Sequence, residues 1–477
     1  MALHQNLIAG EWTGADPIAN INPSDTNEVV GEYARGTAQD MNDAIAAAKA
    51  AFPAWSRSGI LERHTILKKT ADEIIARKDE LGALLSREEG KTLPEGIGEV
   101  TRAAQIFDFF AGEALRLTGE VVPSVRPGIG VEITRDPLGV IGIITPWNFP
   151  IAIPAWKIAP ALCYGNTVVF KPADLVPGSA WAIVDILHRN GLPKGVLNLV
   201  MGKGSIVGQA MLDSADLAGI TFTGSTGTGK RVALASIEHN RKFQLEMGGK
   251  NPFVVLDDAD LTVAVEAAAN SAFFATGQRC TASSRIIVTE GIHDRFVKAM
   301  TERMSGLNVG HAMTPGTHIG PVVDPSQLKQ DEDYIEIGKK EGAKLVAGGG
   351  RVDRETPGYF LQPALFTEAT NQMRISREEI FGPVASVIRV KDYDEALATA
   401  NDTPFGLSSG IATTSLKYAT HYKRNAEAGM VMVNLPTAGV DFHVPFGGRK
   451  ASSFGSREQG KYAAEFFTTV KTAYTLP

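Results

Sequence analysis

Only two cysteines occur in 477 residues, and one of them stands where it could do covalent chemistry. Cys280 follows a Gly turn signal in Gly277-Gln278-Arg279-Cys280-Thr281-Ala282. A thiol is a good nucleophile only as thiolate, so it needs a setting that lowers its pKa or a base close by. Taken alone, Cys280 reads more readily as a small buried residue. Its company changes the reading. Glu246, in Leu245-Glu246-Met247-Gly248-Gly249-Lys250, is a carboxylate beside apolar residues. Desolvation raises the pKa of such a group and suits it to general-base work near neutrality. By itself it reads as a surface Glu before a loop. Asn148, in Thr145-Pro146-Trp147-Asn148-Phe149-Pro150, carries an amide able to donate to a developing oxyanion. Cys163, inside an apolar helical stretch, reads as core.

Other residues suit phosphate and ribose. Gly224-Ser225-Thr226-Gly227-Thr228-Gly229-Lys230 follows a strand and opens a helix, which offers backbone N–H groups to an anion. It misses the P-loop because Arg231 stands where Ser or Thr should hold Mg²⁺. Gly202-Lys203-Gly204-Ser205-Ile206-Val207-Gly208 misses the G-x-G-x-x-G fingerprint by one residue. Either stretch is equally a Gly-rich turn. Lys171 and Asp174 follow a strand end and could hold ribose hydroxyls. Glu378-Glu379 is ambiguous, since acidic pairs are usually solvated. The nine histidines show no metal-ligand spacing, and no metal is expected.

The elements that must position these residues belong to an α/β protein of more than one domain. Hydrophobic content of 44% and charged content of 21% are those of an ordinary globular chain. A net charge of −6 argues against a nucleic-acid or anionic-membrane partner. Two cysteines fit a reducing cytosol, and Met1 to Asn6 lacks the basic start of a signal peptide, so the cytoplasm is expected. The charge-free run Pro137 to Trp156 has the length of a membrane span, but its prolines and glycines would break one. It reads as strand, turn and helix approach. Helices are expected over Asp40–Ala51, stopped by Pro53, then over Ser58–Glu89 and Pro94–Thr118. Val121–Ile133 reads as a hairpin. From Val140, short apolar strands alternate with helices up to Glu238, with Ser205–Met211 as one helix. A second alternation follows the Gly248-Gly249 pair, opening with a strand at Pro252–Leu256 and a helix at Leu261–Ala275. Two parallel-sheet domains with a crevice between them result.

Together and in this order, these motifs resemble the aldehyde dehydrogenase superfamily from end to end. The carriers are Pro146 to Pro150, Lys171-Pro172-Ala173, Phe222 to Ser225, Leu245 to Lys250, Gly277 to Cys280, Glu379-Ile380-Phe381-Gly382-Pro383 and Pro445-Phe446-Gly447-Gly448. The resemblance implies two doubly wound domains, one Rossmann-like for the cofactor (1–120 and 135–247) and one catalytic (248–445). It also implies oligomerisation strands (121–134 and 461–477), hence a homodimer or homotetramer. Cys280 would attack an aldehyde carbon, Asn148 and the Cys280 N–H would hold the oxyanion, and Glu246 would activate water against the thioester. The implied NAD(P) site is Thr145, Pro146, Trp147, Lys171, Asp174, Gly204, Phe222, Gly224, Ser225, Thr228, Met247, Gly248, Glu379 and Phe381. Many NAD-preferring relatives carry Glu where this chain has Asp174. NAD is therefore expected, with room left for NADP.

The implied substrate pocket is Phe149, Trp156, Phe274, Arg279 and Thr281. The Asn251-Pro252 extension, the Leu435 to Gly439 loop and Arg457-Glu458-Gln459-Gly460 look most like bacterial α-ketoglutaric semialdehyde (2,5-dioxopentanoate) dehydrogenases. Semialdehyde-oxidising relatives often place Arg at the positions of Trp156 and Phe274, which leaves Arg279 as a substitute and an aromatic or apolar aldehyde as the rival. A cysteine hydrolase would need a His base on Cys280 and leaves the Lys171 and Gly224 motifs without a role. A non-catalytic relative would be expected to have lost Cys280 or Glu246.

Overall fold

The computed structural model describes residues 2–477, so Met1 of the expected N-terminal stretch lies outside the described residues. The alternation beginning at Val140 builds an eight-stranded sheet. Val140–Ile144 pairs in parallel with Thr167–Lys171, which pairs with Leu197–Leu199. The chain then returns to lay Gly219–Thr223 and Lys242–Glu246 on the other side of Val140–Ile144. That reversal leaves a crevice outside the carboxyl ends of Val140–Ile144 and Gly219–Thr223, where open α/β sheets take ligands. Both faces are covered, which is why the strands are apolar throughout. Ile141, Ile143, Val168 and Phe170 enter one core, and Val140, Val169 and Ile220 enter the other.

Two distant segments close the sheet edges. Asn6–Ile8 pairs antiparallel with Leu197–Leu199 through Leu7 and Leu199. Ser453–Phe454 pairs antiparallel with Lys242–Glu246, setting Ser453 opposite Glu246.

The chain crosses to a second, seven-stranded sheet between Glu246 and Pro252, through Gly248-Gly249. A Cβ on Gly248 would lie 2.1 Å from the Glu379 Oε2, so only glycine fits there. Pro252–Val255 lies inside it, next to the central strand Arg285–Thr289. Beyond Arg285–Thr289 follow Val384–Val390, Ala364–Ala369 and Lys344–Ala347, and on the other side lie Ser408–Ala412 and Met430–Val433. Phe253 and Val255 face one core while Val254 faces the other. A third element joins Thr468–Thr475 antiparallel to Gly130–Pro137, which pairs with Glu120–Pro123. Its outward side chains Val121, Val470 and Tyr474 are exposed.

Several expected boundaries are corrected. The first helix runs from Ala38 to Trp55, through Pro53. Pro53 falls in the last turn, where it removes one backbone hydrogen bond, and burial of Trp55 beyond it outweighs that loss. Ser58–Glu89 is two helices, Ile60–Ala76 and Lys78–Glu89, broken at Arg77 (φ −103°, ψ 18°). Ser205–Met211 is a π-helical turn, Gly204–Gly208, leading into an α-helix, Gln209–Asp213. The strand Ser408–Ala412 and the helix Leu416–Asn425 went unread. Ser408-Ser409-Gly410 has no strand-like composition, because a Cβ on Gly410 would come within 2.5 Å of the Phe253 ring. The run Pro137 to Trp156 resolves as the strand Val140–Ile144, a loop and the start of the helix Ala152–Cys163. Among the described residues, no helix is long and apolar enough to cross a membrane.

Candidate active site

Cys280 sits on a loop whose shape is imposed from outside. The helix Leu261–Phe273 stops two residues short of its expected end and gives way to a turn at Phe274–Gly277. Ala275 (φ 49°), Thr276 (φ 56°) and Gly277 (φ 66°) are all left-handed. Such a conformation costs about 1–3 kcal/mol at a non-glycine residue and persists only where the surroundings hold it. Here they do. The Ala275 N–H donates to Glu95 at 2.8 Å, the Thr276 hydroxyl to the Gly320 carbonyl at 3.1 Å, and the Val323 N–H to the Gln278 side-chain oxygen at 3.0 Å. A Cβ on Gly277 would fall 2.3 Å from the Gly382 carbonyl. On the far side, Asn251 Nδ2 donates to the Cys280 carbonyl at 2.7 Å and to the Ala282 carbonyl at 2.9 Å. The nucleophile candidate is pinned by the helix Leu93–Glu113, the loop at Gly320–Val323 and the residue that leads into the strand Pro252–Val255.

Two cavities meet at this residue. One, of about 250 Å³, is walled by Phe149, Trp156, Arg279, Thr281 and Phe446, with Lys91, Glu95, Glu99 and Arg102 contributed by one helix and the turn before it. The other, of about 270 Å³, lies in the crevice of the first sheet. Pro146, Trp147, Asn148, Gly224, Ser225, Met247, Gly248, Glu379 and Phe381 wall it, with Gln327 and Gln330 from the helix Pro325–Lys340. Cys280 lines both. Asn148 Nδ2 uses one hydrogen on the Gln278 carbonyl at 2.9 Å and keeps the second, while its own carbonyl receives Lys91 Nζ at 2.9 Å.

Burial controls the charges. The Cys280 thiol is pushed up to about 12, mainly by desolvation, with Glu246 and Glu379 adding to it and the N–H groups of Thr281 and Cys280 opposing. It rests as a thiol and needs its proton removed. The Glu246 carboxyl is held well above the usual carboxylate range by burial, with Glu458 adding to it. Its oxygens face the Ser453 hydroxyl and Gly447 rather than either cavity. Behind it a buried pair, Lys157 with Glu458, is tied to the Thr221 hydroxyl. Glu379 is raised to about 7 by burial although the Gly249 N–H donates to it at 2.8 Å. Lys171 is lowered to about 8 by burial, against the pull of Asp174.

Sequence and fold comparisons agree with this architecture. Residues 12–473 match the aldehyde dehydrogenase family. The chain belongs to that family. It is 45% identical over 477 residues to the α-ketoglutaric semialdehyde dehydrogenase of Bacillus subtilis, covering 99% of this chain and 98% of that one. It is 41% identical to the 2,5-dioxopentanoate dehydrogenase of Saccharolobus solfataricus, covering 98% of each. Among solved structures, the betaine aldehyde dehydrogenase of Staphylococcus aureus in complex with NAD+ superposes with a TM-score of 0.96 at 34% identity, covering 99% of this chain and 95% of that one. An Escherichia coli NADP-dependent enzyme gives 0.95 at 36% identity, with 99% and 98% covered.

As an aldehyde dehydrogenase, the chain brings most of its expected site together and leaves some residues aside. Phe222 is core, packed in the same cluster as Met247 beneath the crevice wall. Phe274 packs on the second sheet's core and does not wall the cavity. The Arg279 guanidinium donates to the Phe274 and Asn270 carbonyls. Thr145 is buried with an unpartnered hydroxyl, while Gly204, exposed at the start of the π-helical turn, and Thr228, half-buried in the first turn of the helix Thr226–Glu238, do not wall the crevice. Ser225 caps the helix Thr226–Glu238 by accepting from the Thr228 N–H. No histidine among the described residues lines either cavity, which leaves a cysteine hydrolase without its base. Lys91, Glu95, Glu99, Arg102, Lys157 and Glu458 were missed. Glu95, Gly98, Glu99 and Arg102 recur at helical spacing on one face of Leu93–Glu113, a signal that was there to read.

Proposed function

We propose that this aldehyde dehydrogenase oxidises a short oxo-acid semialdehyde, such as α-ketoglutaric semialdehyde, to the acid, with NAD as preferred cofactor and NADP tolerated. The observation that carries the reading is the thiol of Cys280 standing where the two cavities meet. Sγ forms a bond to the aldehyde carbon, and its proton leaves to a base. Asn148 Nδ2 and the Cys280 N–H stabilise the resulting oxyanion. A nicotinamide held in the adjoining crevice would supply the hydride acceptor for that carbon, and Cys280 would then carry the acyl group as a thioester. Glu246 then takes a proton from water as it adds to the thioester carbonyl. The C–S bond breaks, the acid departs and the thiol is restored. Glu246 must turn from Ser453 toward the cavity for this step.

The crevice suits a dinucleotide. The helix Thr226–Glu238 presents free N–H groups behind Ser225, and a Cβ on Gly227 would meet nothing, so an anion has access. Glu379 and Lys171 suit ribose hydroxyls. Asp174 repels a 2′-phosphate but is short enough to leave room for one. The residues 1–120 and 135–247 form the cofactor domain and 248–445 the catalytic domain. The strand Thr468–Thr475 with the hairpin at 120–137 supports a homodimer or homotetramer, since exposed Val470 and Tyr474, four residues apart on one face of an edge strand, offer an apolar strip that a second copy would cover. An aromatic aldehyde is favoured by one observation, the Trp156 and Phe446 rings stacked at 5.2 Å in the cavity wall.

The test is purified protein with NAD or NADP against α-ketoglutaric semialdehyde, straight-chain aldehydes and benzaldehydes, following reduced nicotinamide, with Cys280→Ala alongside. Cys280-dependent oxidation led by the semialdehyde is expected. A lead for benzaldehydes refutes the substrate assignment, and activity surviving Cys280→Ala refutes the mechanism.

A further inference from the structure

Two of the three cations on the wall of the substrate-side cavity are already engaged. Lys91 pairs with Glu99 at 2.6 Å and lies 3.8 Å over the Phe149 ring. Arg279 donates to two backbone carbonyls. Arg102 differs. Its hydrogen bond runs from Nη2 to the amide oxygen of Gln459 at 3.2 Å, and Asp441 and Glu99 act on it only from a distance. Among the described residues it makes no ion pair. A neutral amide fixes the guanidinium without cancelling its charge, and four of its five N–H groups stay free for a planar acceptor.

Gln459 bears the cost of this arrangement. It is fully buried, its backbone stands at φ 62°, ψ 167°, a region almost reserved for glycine, and its Nε2 has no partner. A residue strained in its backbone and unsatisfied in its side chain is held for something other than stability. The neighbouring Glu458 is bound to Phe446 by paired backbone hydrogen bonds of 2.8 and 2.9 Å, so the turn that carries Gln459 is anchored to the cavity wall. Gly98, one turn before Arg102, keeps the helix face open, since a Cβ there would meet nothing within 4 Å.

Resting on the dehydrogenase reading above, we propose that Arg102 recognises the distal carboxylate of the aldehyde and that Gln459 is its positioning residue. An aldehyde with its carbonyl at Cys280 and a carboxylate at the far end of a short chain places that charge against a half-buried cation in the same cavity. A neutral aldehyde of equal length leaves the cation unpaired. The arrangement supplies the carboxylate partner that Trp156 and Phe274 cannot.

The experiment compares kcat/KM for α-ketoglutaric semialdehyde and for pentanal in the full-length enzyme, Arg102→Leu, Arg102→Lys and Gln459→Glu. The wild-type ratio is expected to favour the semialdehyde, and Arg102→Leu to lower that ratio about 100-fold, mainly through KM. Arg102→Lys restores part of it. Gln459→Glu, whose carboxylate occupies Arg102, lowers it with the arginine still present. Oxidation of pentanal by each variant shows that it is folded. A wild-type preference that survives both Arg102→Leu and Gln459→Glu overturns this proposal and leaves the semialdehyde reading standing. Equal wild-type rates on the two aldehydes overturn both.

Discussion

Replacing Glu246 with Gln separates the two halves of the reaction. Gln fills the same volume, and its side-chain oxygen still accepts the hydrogen bond that Ser453 gives at 2.5 Å. The neighbours Lys157 and Glu458 keep each other. What disappears is the carboxylate proposed to take a proton from water at the thioester. General-base assistance is worth about 10²–10⁴ in rate, or about 3–5 kcal/mol of barrier. Formation of the thioester needs no such water. Stopped-flow mixing of Glu246→Gln with saturating aldehyde and NAD is therefore expected to give a burst of reduced nicotinamide near one equivalent per site, then a steady rate lowered by that factor. The pH profile supplies a second reading. Glu246 works only when deprotonated, and burial holds its carboxyl well above the usual carboxylate range. The wild-type steady rate should thus fall on acidification before an exposed Glu would titrate, and Glu246→Gln should lose that limb. A steady rate within about threefold of wild type, or the absence of a burst, refutes the assignment.

Gly248→Ala drives a Cβ to within 2.1 Å of the Glu379 Oε2 and displaces that carboxylate from the Gly249 N–H. The KM for NAD should rise about 10- to 100-fold with a smaller change in the KM for aldehyde, as measured by initial rates. Lys157→Met strands the Glu458 carboxylate in the core and should cost about 3–5 kcal/mol in denaturant unfolding. Lys157→Met with Glu458→Leu should recover most of that loss.

Much of the fold was legible because both sheets are buried on two faces. Runs such as Val168-Val169-Phe170 and Phe253-Val254-Val255 have only one good place to go. Ser408–Ala412 was not legible, since its glycine answers to the Phe253 ring on a strand more than 150 residues away. At the site, Cys280 and Glu379 read alone as a buried residue and a solvated acidic pair, and with Asn148 they stood out only through the order of motifs shared with the family. Lys91, Arg102 and Lys157 did not, because each acquires its meaning from a distant partner: the Asn148 carbonyl, Gln459 and Glu458. The orientation of Glu246 was equally hidden, being set by Ser453 and Gly447. Phe274 was misplaced because a run of left-handed residues leaves no periodicity to follow.

The pairing of Ser453 with Glu246 has a consequence for how the enzyme is made. The strand Lys242–Glu246 emerges from the ribosome about 200 residues ahead of its outer neighbour Ser453–Phe454. At about 5–20 residues per second, the edge of the first sheet stays open for some ten to forty seconds. During that interval Glu246 lacks Ser453, and Lys157 waits for Glu458. On the proposed mechanism the nascent chain therefore holds Cys280 before Glu246 is set, so a half-made enzyme would form its thioester without the group that hydrolyses it.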